Sequence, residues 1–132
     1  MEKIITIGAQ EVRLKASAKL ALICLSYFQK DVFEFQAEFF SAQAEAAKHS
    51  EELEKAAVIF RTVKMTDILQ LIWAMAKCAD DGMLDYDSWL DTLDALPGLN
   101  IVSEIFLFLA GTSTTTTKIK NAKAAESSRR KA

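Results

Sequence analysis

The stretch LQLIWAMAKCADDGMLDYDSWLDTL, Leu69–Leu93, decides how this chain is read. Together with Ile68, it puts Leu71, Ile72, Met75 and Ala79 on one side of a helix and Leu69, Trp73 and Ala76 on another. Asp67, Gln70 and Lys77 are the few positions left for water. A helix that is apolar nearly all round is a central helix, not a surface one. Thr66 reads as its N-cap, and Asp67 suits the positive end of the helix dipole. Gly82 then lets the chain reverse. Asp85 reads as the cap of a following helix with core stripe Tyr86, Trp89, Leu90 and Leu93, and Pro97-Gly98 stops it.

Working outward, Asn100 reads as the cap of a last helix through Ile101, Val102, Ile105, Phe108 and Leu109, with Gly111 as its C′ residue. Upstream, no Gly or Pro falls between Gly8 and Gly82. Ser17 and Asp31 read as caps of two helices. The first carries Leu20, Ile23, Cys24 and Tyr27 on one stripe; the second carries Val32, Phe35, Phe39 and Ala42. A polar stretch with a break at His49-Ser50 precedes another stripe, Leu53, Ala56, Ala57 and Phe60. At the N-terminus, the β-branched run Ile4–Ile7 and the alternating Glu11–Lys15 read as a hairpin turning near Gly8. Two strands alone are marginal, so they must lean on helices or on another subunit. The expected fold is mainly α: an N-terminal β-hairpin, then a compact bundle of about five helices.

Length and composition fit that fold. The chain has 132 residues, 51% of them hydrophobic and 26% charged, which suits a single globular domain over residues 1–111. Residues 112–132 read as a flexible basic tail of Thr, Lys and Arg, too poor in apolar residues to order itself. The formal net charge of −2 hides an asymmetry. The tail carries six basic residues against Glu126 alone, whereas the body carries 10 basic and 17 acidic residues. Nucleic-acid binders line a folded face with basic residues, and this layout argues against that class. The N-terminus lacks the apolar segment of a signal peptide, and no apolar run reaches the length of a membrane span. A soluble protein in a reducing cytoplasm is expected.

Residues that could carry chemistry are few. Asp80, Asp81, Asp85, Asp87 and Asp91 invite a calcium-loop reading, but counting from Asp80 puts Gly82 and Leu84 at ligand positions and Asp85 where glycine is required. Helix-end and solvated-face roles explain the same aspartates, with Asp87, Asp91 and Asp94 opposite Trp89. His49 is the only histidine and has no cysteine nearby. Cys24 and Cys78 sit in apolar segments with no histidine near either. There is no phosphate loop and no nucleophile elbow. No catalytic residue, metal or cofactor is expected.

The aromatic residues suggest contact with a partner. DVFEFQAEFF, Asp31–Phe40, places phenylalanine on more than one side of its helix. Phe33 and Phe40, seven apart, form a second stripe beside Phe35 and Phe39, and Phe106-Leu107-Phe108 is greasier than one contact face needs. Large exposed apolar patches mark interfaces, so Phe33, Phe40, Phe106 and Leu107 are the candidate partner or oligomer surface.

The order of elements also carries a resemblance. A short hairpin leads to a helix ending in YFQKDV (Tyr27–Val32). A central helix with IWAMAKCADD (Ile72–Asp81) follows, then WLD (Trp89–Asp91), an apolar helix and a Thr/Lys tail. Over residues 4–117 this resembles the tail assembly chaperones of long-tailed phages and prophages, especially of Gram-positive hosts. The resemblance implies a non-enzymatic factor that coats the tape measure protein while tail tube protein polymerises around it. Such factors act in the host cytoplasm, are absent from the mature virion and often form homo-oligomers. Many also have a longer form made by ribosomal frameshifting, and Ile119-Lys120-Asn121 could be encoded by a slippery run. The alternative is a small helical nucleic-acid-binding regulator acting through the basic tail.

Overall fold

The computed structural model of the protein describes residues 2–112. Strands β1 (Glu2–Ile7) and β2 (Gln10–Lys15) pair antiparallel, with Ile7 opposite Gln10 and Glu2 opposite Lys15. The two-residue connection starts at Gly8, whose φ of +62° is open to glycine at little cost. Gly8 also lies against Asp94 and Ala95, which leave no room for a Cβ. Period-two alternation sends Ile5, Ile7, Val12 and Leu14 inward and Ile4, Thr6, Glu11 and Arg13 outward.

Among the described residues six helices follow: α1 (Ala18–Phe28), α2 (Val32–Ala46), α3 (Glu52–Thr62), α4 (Met65–Ala79), α5 (Tyr86–Thr92) and α6 (Leu99–Thr112). The mainly α architecture behind an N-terminal hairpin is the one the sequence predicts. The break at His49-Ser50 separates α2 from α3, as the sequence reads. α4 is central, with Ile68, Leu69 and Leu71–Ala76 all buried. It packs against β2, α1, α2 and α5, so the hairpin leans on a helix of its own chain.

Ser17, Asp31 and Asp85 hold the N-cap positions as read, and of the three Asp31 and Asp85 bond through the side chain. The Asp31 carboxylate accepts the Phe33 N–H at 2.8 Å and Glu34 reaches back to the Asp31 N–H at 2.9 Å, a reciprocal capping box. Asp85 accepts the Ser88 N–H at 3.2 Å. Three other end signals are displaced. Lys64, not Thr66, holds the N-cap position of α4. Gly98, not Asn100, precedes α6 and accepts the Ile101 and Val102 N–H groups through its carbonyl. α6 runs through Gly111, so that glycine is not a left-handed cap. Side-chain type marks a helix end only to within a residue or two. The expected flexible tail, beyond Thr112, lies outside the described residues.

Around α4, Tyr27, Phe28, Trp73 and Tyr86 form an aromatic cluster with centroid separations of 5.1 Å for Tyr27–Trp73 and 5.2 Å for Phe28–Tyr86. The Trp73 indole N–H donates to the Leu84 carbonyl at 2.9 Å and so ties α4 to the loop before α5. Lys30, just after α1, reaches Glu38 of α2 at 3.0 Å and Asp67 of α4 at 3.1 Å, and lies over the Phe35 ring. Burial disfavours the Lys30 charge, but the two carboxylates outweigh it, and its pKa is raised.

Candidate interaction surface

Helix α2 carries two apolar stripes because phenylalanine recurs at both Phe35/Phe39 and Phe33/Phe40. Phe35, Phe39, Ala42 and Ala46 turn into the core. Phe33 and Phe40, two helical turns apart on another face, remain 68% and 48% exposed, with the exposed Ala37 between them. The capping box at Asp31 fixes the first turn and holds Phe33 at the rim of a groove of about 300 Å³. Its walls are Ala16–Ala18, Leu20 and Ala21 at the start of α1, Val32 and Gln36 of α2, and Leu109 near the end of α6. Small alanine side chains on one wall leave the depth into which a larger apolar side chain could enter.

The four candidate surface residues do not share one fate. Phe33 and Phe40 lie on the surface as expected. Leu107 is 71% exposed on α6 but is not part of the groove wall. Phe106 is corrected: it is 1% exposed and its ring stacks on Phe39 at 4.2 Å, so it belongs to the core. Helix α3 also departs from its expected stripe. Val58 and Ile59 are its buried residues, whereas Leu53 is 83% exposed and Phe60 is half-exposed. Leu22 and Leu25, one turn apart on α1, add exposed apolar area that sequence reasoning missed. Their signal was present as a second apolar stripe on α1.

The acidic segment is consumed locally. Asp80 accepts the Gly82 N–H at 2.9 Å and closes the turn after α4, while Asp81 pairs with Lys19 at 3.1 Å. Hydrogen bonds from the Ser88 side chain and backbone lower the Asp85 pKa. Asp94 lies beyond the end of α5 beside Gly8, not on a shared face with Asp87 and Asp91. Among the described residues, no three His, Cys, Asp or Glu side chains converge as a metal site would require. His49 pairs with Glu54 at 3.5 Å when protonated.

Both thiols are held in the protonated form. Burial, with smaller contributions from Cys78 and Asp31, pushes Cys24 up to about 12. Burial also raises Cys78, against a hydrogen bond from Ser17 and the charges of Lys19 and Lys15. Neither environment makes a ready thiolate nucleophile. Among the described residues, no helix is long and apolar enough to cross a membrane.

A second groove, of about 500 Å³, runs between β2 and the C-terminal end of α4. Trp89 forms part of its wall, and the buried indole N–H has no acceptor among the described residues. Comparison of the chain with protein-family models, curated proteins and solved structures finds no match.

Proposed function

We propose that the chain is a tail assembly chaperone of long-tailed phages or prophages. In this reading it is non-enzymatic and acts in the host cytoplasm. It sheaths the tape measure protein, helps recruit tail tube subunits, self-associates along the sheath and departs before the virion is complete.

The observation that carries the reading is Phe33, largely exposed at the mouth of an apolar groove, with Phe40 continuing the same stripe. A contiguous exposed apolar patch rimmed by polar residues marks a surface that a partner covers. An apolar groove of this size takes the large side chains of an amphipathic helix at i, i+3 and i+4 spacing. A tape measure protein offers such a face over a great length. One small groove binds weakly, and many copies on one long partner gain strength through avidity while each stays displaceable. The acidic body argues against the nucleic-acid reading.

Co-expression with a tape measure protein, followed by co-purification, tests the proposal. Wild-type chain should keep the partner soluble and elute with it. Phe33→Asp should reduce the bound fraction at least tenfold while its circular dichroism and melting temperature stay near wild type. A folded Phe33→Asp variant that still binds fully, or a wild-type chain that never co-purifies, overturns the reading.

A further inference from the structure

The outward stripe of α2 repeats in size as well as in hydrophobicity. Phe33, Ala37, Phe40 and Ala44 follow one another at spacings of four, three and four residues. That is the spacing of a coiled-coil seam, and it keeps all four on one side of the helix. All four are exposed. Large and small side chains alternate along the stripe, so it offers a projecting ring and a shallow recess in turn.

This alternation selects the occupant. Facing helices interdigitate where large side chains meet small ones. Laid parallel and in register on itself, the stripe would set ring on ring and recess on recess. Laid antiparallel, about a two-fold axis between Ala37 and Phe40, it sets Phe33 over Ala44 of a second copy and Phe40 over Ala37 of that copy. The symmetry then repeats both contacts. The stripe is thus complementary to itself in one orientation only.

The flanks of the stripe allow the approach. Gln36 and Gln43 border it on one side, and Glu34, Ser41 and Glu45 on the other. Glu34 accepts the Asp31 N–H at 2.9 Å, and Glu45 has its own counter-charge in Lys48 at 3.2 Å. Neither carboxylate lacks a partner when the helices meet.

We propose that two copies of the chain pair through α2, antiparallel about a two-fold axis, with Phe33 and Phe40 of each seated on Ala44 and Ala37 of the other. One short helix stripe falls below the roughly 800 Å² per partner of a standard interface, so the pair is weak and forms in concentrated solution. One consequence rests on the chaperone reading: the second copy and an amphipathic helix compete for the same stripe. The free chain then covers its own phenylalanines until the partner displaces the copy. The pairing itself stands without that reading.

Sedimentation equilibrium of the full-length chain over a range of concentrations tests the proposal. Wild type should follow a monomer–dimer equilibrium. Ala37→Phe sets ring against ring on both sides of the axis and should weaken the dimer by about tenfold, the effect of overpacking a close contact. Ala37→Phe/Phe40→Ala exchanges projection and recess and should return the dissociation constant to near the wild-type value. Both positions are exposed, so circular dichroism and melting temperature should stay near wild type in each variant. Phe33→Cys/Ala44→Cys supplies a second readout: on oxidation it should link two copies, and more completely than Leu107→Cys does. A wild type that stays monomeric, a dimer indifferent to Ala37→Phe, a weakening that the exchange does not reverse, or no preferential cross-link overturns the proposal. Tape measure binding by a strict monomer sinks this proposal alone, whereas a dimer that never binds a tape measure protein sinks the chaperone reading alone.

Discussion

Phe39 and Phe106 stack face to face, 4.2 Å apart with ring planes 5° from parallel, and this contact joins the middle of α2 to the middle of α6. Both rings are fully buried. The same helix α2 that holds Phe39 inward presents Phe33 and Phe40 outward. It is at once part of the core and part of the candidate surface.

That division predicts opposite outcomes for two substitutions of one residue type. Phe106→Ala should cost about 3–5 kcal/mol, the usual range for a buried phenylalanine, and Phe106→Asp should leave the chain largely unfolded. Phe40→Ala and Leu107→Ala should change stability by less than about 0.5 kcal/mol, as surface substitutions do. Chemical denaturation of the three alanine variants checks the contrast.

Gly8 should not tolerate a side chain. Its positive φ disfavours any L-residue, and a Cβ there would collide with the Asp94 carboxylate and crowd Ala95. The left-handed conformation alone costs roughly 1–2 kcal/mol, so Gly8→Ala should destabilise by at least that much. Gly8→Ala combined with Asp94→Ala should recover part of the loss, the part due to collision and not to backbone strain. Urea unfolding of the single and double variants separates the two.

Lys30 should matter more than a surface lysine. Its ammonium joins Glu38 and Asp67 from two different helices, and both Lys30 and Asp67 are mostly covered. Lys30→Met should cost about 1–3 kcal/mol, between the values for exposed and buried pairs, because it leaves Asp67 without a counter-charge. The raised Lys30 pKa fixes the sign of the pH dependence. This stability is fully present below the ordinary lysine pKa and is lost as pH rises through the higher folded value. Melting temperatures measured across that alkaline range should fall in wild type by more than in Lys30→Met.

Gln29 is the one non-glycine residue with positive φ among the described residues, at +52° after α1. Its side-chain amide donates to the Ser26 carbonyl at 3.2 Å, which offsets part of the strain. Gln29→Gly should raise stability by about 0.5–1 kcal/mol, since glycine takes the left-handed region at least cost. A calorimetric melting temperature below that of wild type would show that the amide contact outweighs the strain.

Much of this architecture was legible along the chain. The hairpin followed from the β-branched run Ile4–Ile7 and the alternation in Glu11–Lys15 about a glycine turn. The central position of α4 followed from apolar residues on every side between Ile68 and Ala79. Asp31 and Asp85 announced two helix starts through a local carboxylate-to-amide bond that needs no tertiary contact. The hairpin and the caps rest on interactions close along the chain, and the all-round apolar pattern of α4 is written in its own residues, which is why the sequence alone showed them.

Which apolar stripe faces inward was decided only in three dimensions. Phe33/Phe40 and Phe35/Phe39 are equivalent on a helical wheel, and so are the two possible stripes of α3. Their fates depend on where α6 and α4 arrive, brought there by contacts between residues far apart in sequence. Phe106 looked like its exposed neighbour Leu107 until Phe39 met it. Hydrophobicity records that a side chain avoids water, but not which partner covers it, and that partner is set by long-range packing.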